Sequence, residues 1–131
     1  MSATKNKQAI LLCIELYNNC TLKWLDTCYS DKLEWIELSN PGAPQGRQGN
    51  FEFYRKFAEQ VLNLFPDRKL TVLRSLAEKD CVVLEQEWQG TFAFTAGNHI
   101  AGEITKLRIA SFFTLDNGLI IKQIDYCAQA T

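Results

Sequence analysis

The feature that most constrains this chain is a change of period at Pro66: before it apolar residues recur every three to four positions, and from Lys69 onward they alternate. Ile10, Cys13, Ile14 and Tyr17 share one face of a helix over Lys7 to Asn19, and Thr21 is placed to cap a second, short helix carrying Leu22, Leu25 and Tyr29. Asn50 is the N-cap expected for a third helix, with Phe53, Phe57, Val61 and Leu64 in one stripe, and Pro66 stops it just after Phe65. Beyond Lys69, Leu70, Val72, Arg74 and Leu76 oppose Thr71, Leu73 and Ser75, as in a strand with two unlike faces. Cys81 to Trp88, Thr91 to Phe94, Ile104 to Leu115 and Leu119 to Tyr126 read as further strands. Asn117 and Gly118 close the final hairpin, because both residues tolerate positive φ. Leu33 to Leu38 is an earlier short strand. Ser39 to Gly49 and Thr95 to Gly102, polar and glycine-bearing, are loops, the first long enough to be a lid or rim.

Helices followed by an antiparallel meander predict an α+β layer fold with the helices on one face of the sheet. A chain of 131 residues builds one core without disulfides or a structural metal, so residues 1–131 are read as a single domain. The 47% hydrophobic content, 22% charge and net charge of −1 are those of a globular protein, and no basic, aromatic-interleaved surface marks nucleic acid as a partner. The longest apolar run, Ala9 to Ile14, is far shorter than the roughly 20 residues of a membrane span, and a cytoplasmic location is the expectation. Five cysteines, odd in number and never closer than seven residues, read as reduced thiols. With one histidine, no ligand cluster and no phosphate-cradling glycine motif, neither a metal nor an organic cofactor is expected.

Three stretches carry a family likeness: Phe65-Pro66-Asp67 at the end of the third helix, Glu87-Trp88-Gln89-Gly90-Thr91 at a strand junction, and Asp116-Asn117-Gly118-Leu119-Ile120 leading to Asp125-Tyr126. Their order and spacing over nearly the whole chain resemble the SnoaL-like polyketide cyclases. That family sits in the nuclear-transport-factor-2-like superfamily beside ketosteroid isomerases, limonene epoxide hydrolases, scytalone dehydratases and non-catalytic transport factors. The resemblance implies a cone-shaped, curved, mostly antiparallel sheet with three N-terminal helices packed on its concave face around an apolar pocket, a cystatin-like α+β barrel. It also implies a homodimer.

Carried over residue by residue, the resemblance places Glu37 where ketosteroid isomerases have their general base, but puts Cys13 and Ala110 where those enzymes have a tyrosine and a protonated aspartate. Asp125-Tyr126 resembles the end of limonene epoxide hydrolases, without their Arg-x-Asp pair near Thr91 to Phe94. The cyclases' histidine opposite the last-strand aspartate is replaced by Ala110 and Ser111.

If Asn117-Gly118 is a two-residue turn, Asp116 faces Leu119 and, in register, Ala110 faces Asp125. Arg108 then lies diagonally near Asp125, and because the resemblance puts position 110 inside the pocket, Arg108 and Asp125 become a candidate cavity pair close to Phe112. Alongside the catalytic reading of that pair stands a plain salt bridge near the open end of a hairpin. Glu37 and His99 are the candidate second acid-base groups, each weighed against a solvated surface role. Tyr54, Phe57, Trp88, Phe92 and Phe112 are the expected wall of the pocket, and a buried Tyr54 needs a hydroxyl partner. Glu85 and Glu87 should face outward. The rest of that outer sheet face is apolar enough to pair with a second copy. Two functions follow from one pocket: a cofactor-independent isomerase, cyclase or hydratase acting on a small, largely apolar molecule, or a ligand-binding or dimerisation module without chemistry.

Overall fold

A computed structural model of the protein describes residues 2–129. The order is α1 (Ala3–Tyr17), α2 (Lys23–Cys28), β1 (Tyr29–Glu37), β2 (Arg47–Gly49), α3 (Phe51–Leu64), β3 (Lys69–Glu78), β4 (Cys81–Thr91), β5 (Ile104–Asp116) and β6 (Leu119–Gln129). The six strands form one curved sheet in the order β2-β1-β6-β5-β4-β3, antiparallel except for the β1–β6 pair. All three helices cover its inner face. Their starts are chemically defined: Ser2 Oγ accepts from Lys5 N at 3.2 Å, and Asn50 Oδ1 accepts from Phe53 N at 3.0 Å. The core lies between α1, α2, α3 and the sheet, where Ile10, Trp24, Leu25, Trp35, Val82 and Leu84 are almost wholly buried.

The expected helices, the long strands and the final hairpin are present, and Asn117 (φ 50°) and Gly118 (φ 79°) make its turn, but α2 starts after Leu22 without a side-chain cap rather than at a Thr21 cap, and Tyr29, expected on that helix, opens β1. Two further expectations are corrected at element level. Ser39 to Gly49 is not all loop, because Arg47–Gly49 pairs antiparallel with Trp35–Glu37. Thr91 to Phe94 is no separate strand: β4 runs on to Thr91, and the chain then turns, with Phe92 N bonded to Glu103 O and Ala93 N to Leu64 O.

A deeper correction concerns which residues face inward. β3 carries a bulge at Leu73, between the pairs Val72↔Gln86 and Arg74↔Glu85. β6 carries another at Ile121, between Leu115↔Ile120 and Thr114↔Lys122. Each extra residue exchanges the faces of everything beyond it. Leu70 and Val72 therefore pack on the core, whereas Leu76 is 59% exposed. Along β6 the inward residues become Gln123, Asp125 and Cys127, and the residue opposite Asp125 is Ser111 rather than Ala110.

Two of the three stretches that carried the family likeness, Phe65-Pro66-Asp67 and Glu87-Trp88-Gln89-Gly90-Thr91, meet in one corner. Phe65 stands edge-on to Trp88, with centroids 4.9 Å apart, while the Asp67 carboxylate accepts from Thr91 N at 2.9 Å and Thr91 Oγ1 at 2.6 Å. Those two bonds hold the Asp67 pKa below its ordinary value. Gly90 is required there, since a Cβ would lie 2.7 Å from the Trp88 ring and 2.8 Å from that of Phe65.

Candidate active site

A cavity of about 520 Å³ opens between α1, α3 and the inner face of the sheet, large enough for a drug-sized ligand. Its wall includes Asp125, Glu37, His99, Tyr54, Phe57, Trp88 and Phe92, all expected at the site, together with Trp24 and Trp35. Arg108 and Phe112 are absent from it. Both lie on the outer face: Arg108 Nη1 reaches Glu85 Oε2 at 3.4 Å, and Phe112, 40% exposed, packs against Tyr126. The expected cavity pair of Arg108 and Asp125 is thereby overturned.

Asp125 is positioned instead by neutral donors. Ser111 Oγ donates to Oδ1 at 2.6 Å, Trp35 Nε1 donates to Oδ2 at 2.9 Å, and Gln123 Nε2 lies 3.1 and 2.9 Å from the two oxygens. Burial pushes the Asp125 pKa up. The bonds from Ser111, Trp35 and Gln123 pull it back, and the charge of Glu37, its register partner on β1, adds to the rise. The net effect is a carboxyl that holds its proton more tightly than an exposed aspartate.

The network extends on both sides. Gln86 Nε2 donates to Ser111 Oγ at 2.8 Å, Gln123 Oε1 accepts from Tyr29 OH at 2.5 Å, and Gln123 Nε2 also reaches Tyr54 OH at 3.3 Å. Tyr54 thus has the partner its burial demands.

Glu37 is buried, not solvated. Arg47 Nη1 binds its Oε1 at 2.7 Å, Asn40 Nδ2 binds its Oε2 at 2.8 Å, and the Arg47 guanidinium sits 4.7 Å from the centre of the Phe57 ring. The short strand β2 exists in register with β1, and that pairing sets Arg47 beside Glu37. His99 stands half-exposed in the loop after β4, stacked on Phe92 at 4.6 Å and paired through Nδ1 with Glu103. Cys127 shares the inner face with Asp125, but burial first, then the charges of Asp125 and Glu37, push its thiol up to about 12, so it stays protonated at neutral pH. Among the described residues, no group of three or more His, Cys, Asp or Glu side chains is placed to hold a metal.

The network's other members, Ser111, Gln123, Trp35, Gln86 and Arg47, escaped the reading for catalytic residues. Gln86 lies in phase with Leu84 and Trp88, Ser111 with Phe113, and Gln123 with Asp125, so polar residues on an apolar strand face were the available signal.

A profile of the SnoaL-like domain family matches residues 13–123. The chain belongs to the SnoaL-like family. Several solved structures share the fold of this SnoaL-like protein at low sequence identity. AclR of Streptomyces galilaeus, a proposed hydroxylase, superposes with a TM-score of 0.82 at 18% identity, over 96% of this chain and 80% of its own. IdmH of Streptomyces antibioticus, a proposed polyketide cyclase, gives a TM-score of 0.79 at 16% identity, over 93% of this chain and 91% of its own. An epoxide hydrolase of the limonene type from M. tuberculosis gives 0.70 at 14%, over 95% of this chain and 84% of its own. No curated protein matches the sequence.

Proposed function

We propose that this SnoaL-like protein binds a small, largely apolar carbonyl or polycyclic molecule and moves a proton on it with Asp125, in an isomerisation, cyclisation or hydration that needs no cofactor. One observation carries the reading: a 9% exposed carboxyl, its pKa raised by burial, stands in the wall of an aromatic cavity. The named chemistries of its structural neighbours, hydroxylase, cyclase and epoxide hydrolase, all concern small molecules and support that class of role without choosing among reactions. Glu37, fixed by Arg47, supplies a neighbouring charge, and His99 at the mouth is the second acid-base group.

A second reading is favoured by the donors around Asp125. Trp35, Ser111 and Gln123 engage both carboxylate oxygens, which is also how a structural carboxylate in a binding module would be satisfied. Asp125→Asn separates the two. Once a substrate is in hand, the variant loses turnover by about 10² or more and keeps its affinity, because proton transfer acts in the transition state. Unchanged turnover would leave the binding module as the better account.

The protein acts as a homodimer through its outer sheet face. In support, Leu76, Val83, Phe112, Ile124 and Ile36 stand in one cross-strand row over five strands, with Leu76 and Phe112 well exposed.

A further inference from the structure

Three tyrosines line the cavity, Tyr17, Tyr29 and Tyr54, and each phenol has one hydrogen to give. Tyr29 gives its hydrogen to Gln123 Oε1 at 2.5 Å. Tyr54 OH receives Gln123 Nε2 at 3.3 Å and lies 3.5 Å from Tyr29 OH, whose oxygen is free to accept because its hydrogen is already spent. Tyr17 differs. Its oxygen receives the Trp88 indole N–H at 2.9 Å, and an indole only donates, so that bond does not use the Tyr17 hydrogen. Among the described residues no group accepts it.

The surroundings of Tyr17 are short of acceptors as well. Trp24, 2% exposed, packs edge-on against it with centroids 5.0 Å apart, and the Trp24 Nε1–H has no acceptor among the described residues. Arg68, 1% exposed, places its guanidinium 3.8 Å from the centre of the Tyr17 ring. It donates to the carbonyl oxygens of Tyr17 and Thr21 at 2.8 and 3.2 Å, and among the described residues no carboxylate is in salt-bridge range of it. Two unspent donors, buried at Trp24 and half-buried at Tyr17, lie beside a buried cation and leave this part of the wall electropositive, and a buried donor without a partner is costly unless something else supplies the acceptor. Burial, the largest influence, keeps the Tyr17 phenol protonated at neutral pH, although Arg68 and the Trp88 N–H pull its pKa down.

We infer that Tyr17 is a recognition residue of the cavity, whose hydroxyl donates to a carbonyl or oxyanion oxygen of the ligand, with Trp88 and Arg68 holding and polarising it. The ligand is therefore an aryl or polycyclic compound bearing an acceptor oxygen. This specifies the molecule in the cavity assigned above, but it requires no proton transfer by Asp125.

The test uses a matched pair of probes, the ketone 2-acetylnaphthalene and its alkene isostere 2-isopropenylnaphthalene, titrated into the full chain. All three tryptophans line the cavity, so their indole N–H resonances report occupancy. The wild type should prefer the ketone, and the ketone should shift the Trp24 and Trp88 indole signals more than the alkene does. Tyr17→Phe should weaken the ketone by about 3- to 10-fold, the range of a neutral hydrogen bond, while alkene affinity changes less than about twofold. The ketone preference should survive Asp125→Asn, which separates this inference from the catalytic one. Equal binding of the two probes by the wild type, or equal losses for both in Tyr17→Phe, would overturn it. If Tyr17→Phe does not fold, the wild-type preference and its reduction in Trp88→Phe, which removes the indole N–H that holds the Tyr17 hydroxyl, decide the matter, and no reduction counts against it.

Discussion

Removing the Ser111 hydroxyl should make the stability of this protein depend on pH in a way that identifies Asp125. The Ser111 Oγ to Asp125 Oδ1 bond, 2.6 Å long and buried on both sides, favours the ionised carboxylate. A hydrogen bond to a charged group contributes about 1.5–3 kcal/mol. At about 1.36 kcal/mol per unit, losing it in Ser111→Ala raises the Asp125 pKa by roughly one to two units beyond its already elevated value. The sign follows from linkage. A carboxyl that binds its proton more tightly when folded gives stability that is complete below the unfolded value of about 3.9 and is lost as pH rises through the folded pKa. In Ser111→Ala that loss continues over a further one to two units, so the variant is more destabilised at neutral than at acid pH, by about 1.5–3 kcal/mol. The Gln86 amide left without its acceptor adds a cost that does not vary with pH. Urea unfolding across the acid-to-neutral range measures the difference, and a carboxyl ¹³C titration of Asp125 measures the pKa directly. The same serine change in an Asp125→Asn background should be flat with pH. A destabilisation equal at all pH values, or an Asp125 midpoint that stays or falls, would refute the reasoning.

Gly90→Ala forces a Cβ against Trp88 and Phe65, whose rings are pinned by Tyr17 and by Phe92, so overpacking should cost about 1–3 kcal/mol and lower Tm by about 4 to 10 °C, read by calorimetry. An unchanged melt would mean that the corner is softer than its contacts imply. For the dimer, light scattering should give twice the chain mass for the wild type and the monomer mass for Phe112→Glu, since the substitution places a charge in the apolar row. A monomeric wild type at micromolar concentration would remove the proposal.

The sequence by itself determined the three helices, the long strands and their order. Period, caps and the Asn117-Gly118 turn are local physics: Asn50 caps α3 because its side chain reaches Phe53 N three residues away, and no distant residue is needed to predict it. Much of the cavity wall was legible for the same reason, because Tyr54, Phe57, Trp88 and Phe92 lie in phase with apolar faces whose phase is intact locally, whereas Asp125 was placed there by the family resemblance. Facing across strands was not legible. Alternation carries information only until a residue is inserted, and the bulge at Ile121, a single residue between Ile120 and Lys122, leaves no mark in composition. One unpaired residue turned Asp125 away from the face that carries Arg108 and Phe112 and brought it to Ser111. Arg47 met Glu37 by a similar non-local step, the return of a polar loop to pair as β2. The site's charges and donors are thus assembled by register, which depends on strand pairing over the whole sheet, whereas the elements that carry them are set by neighbours a few residues apart.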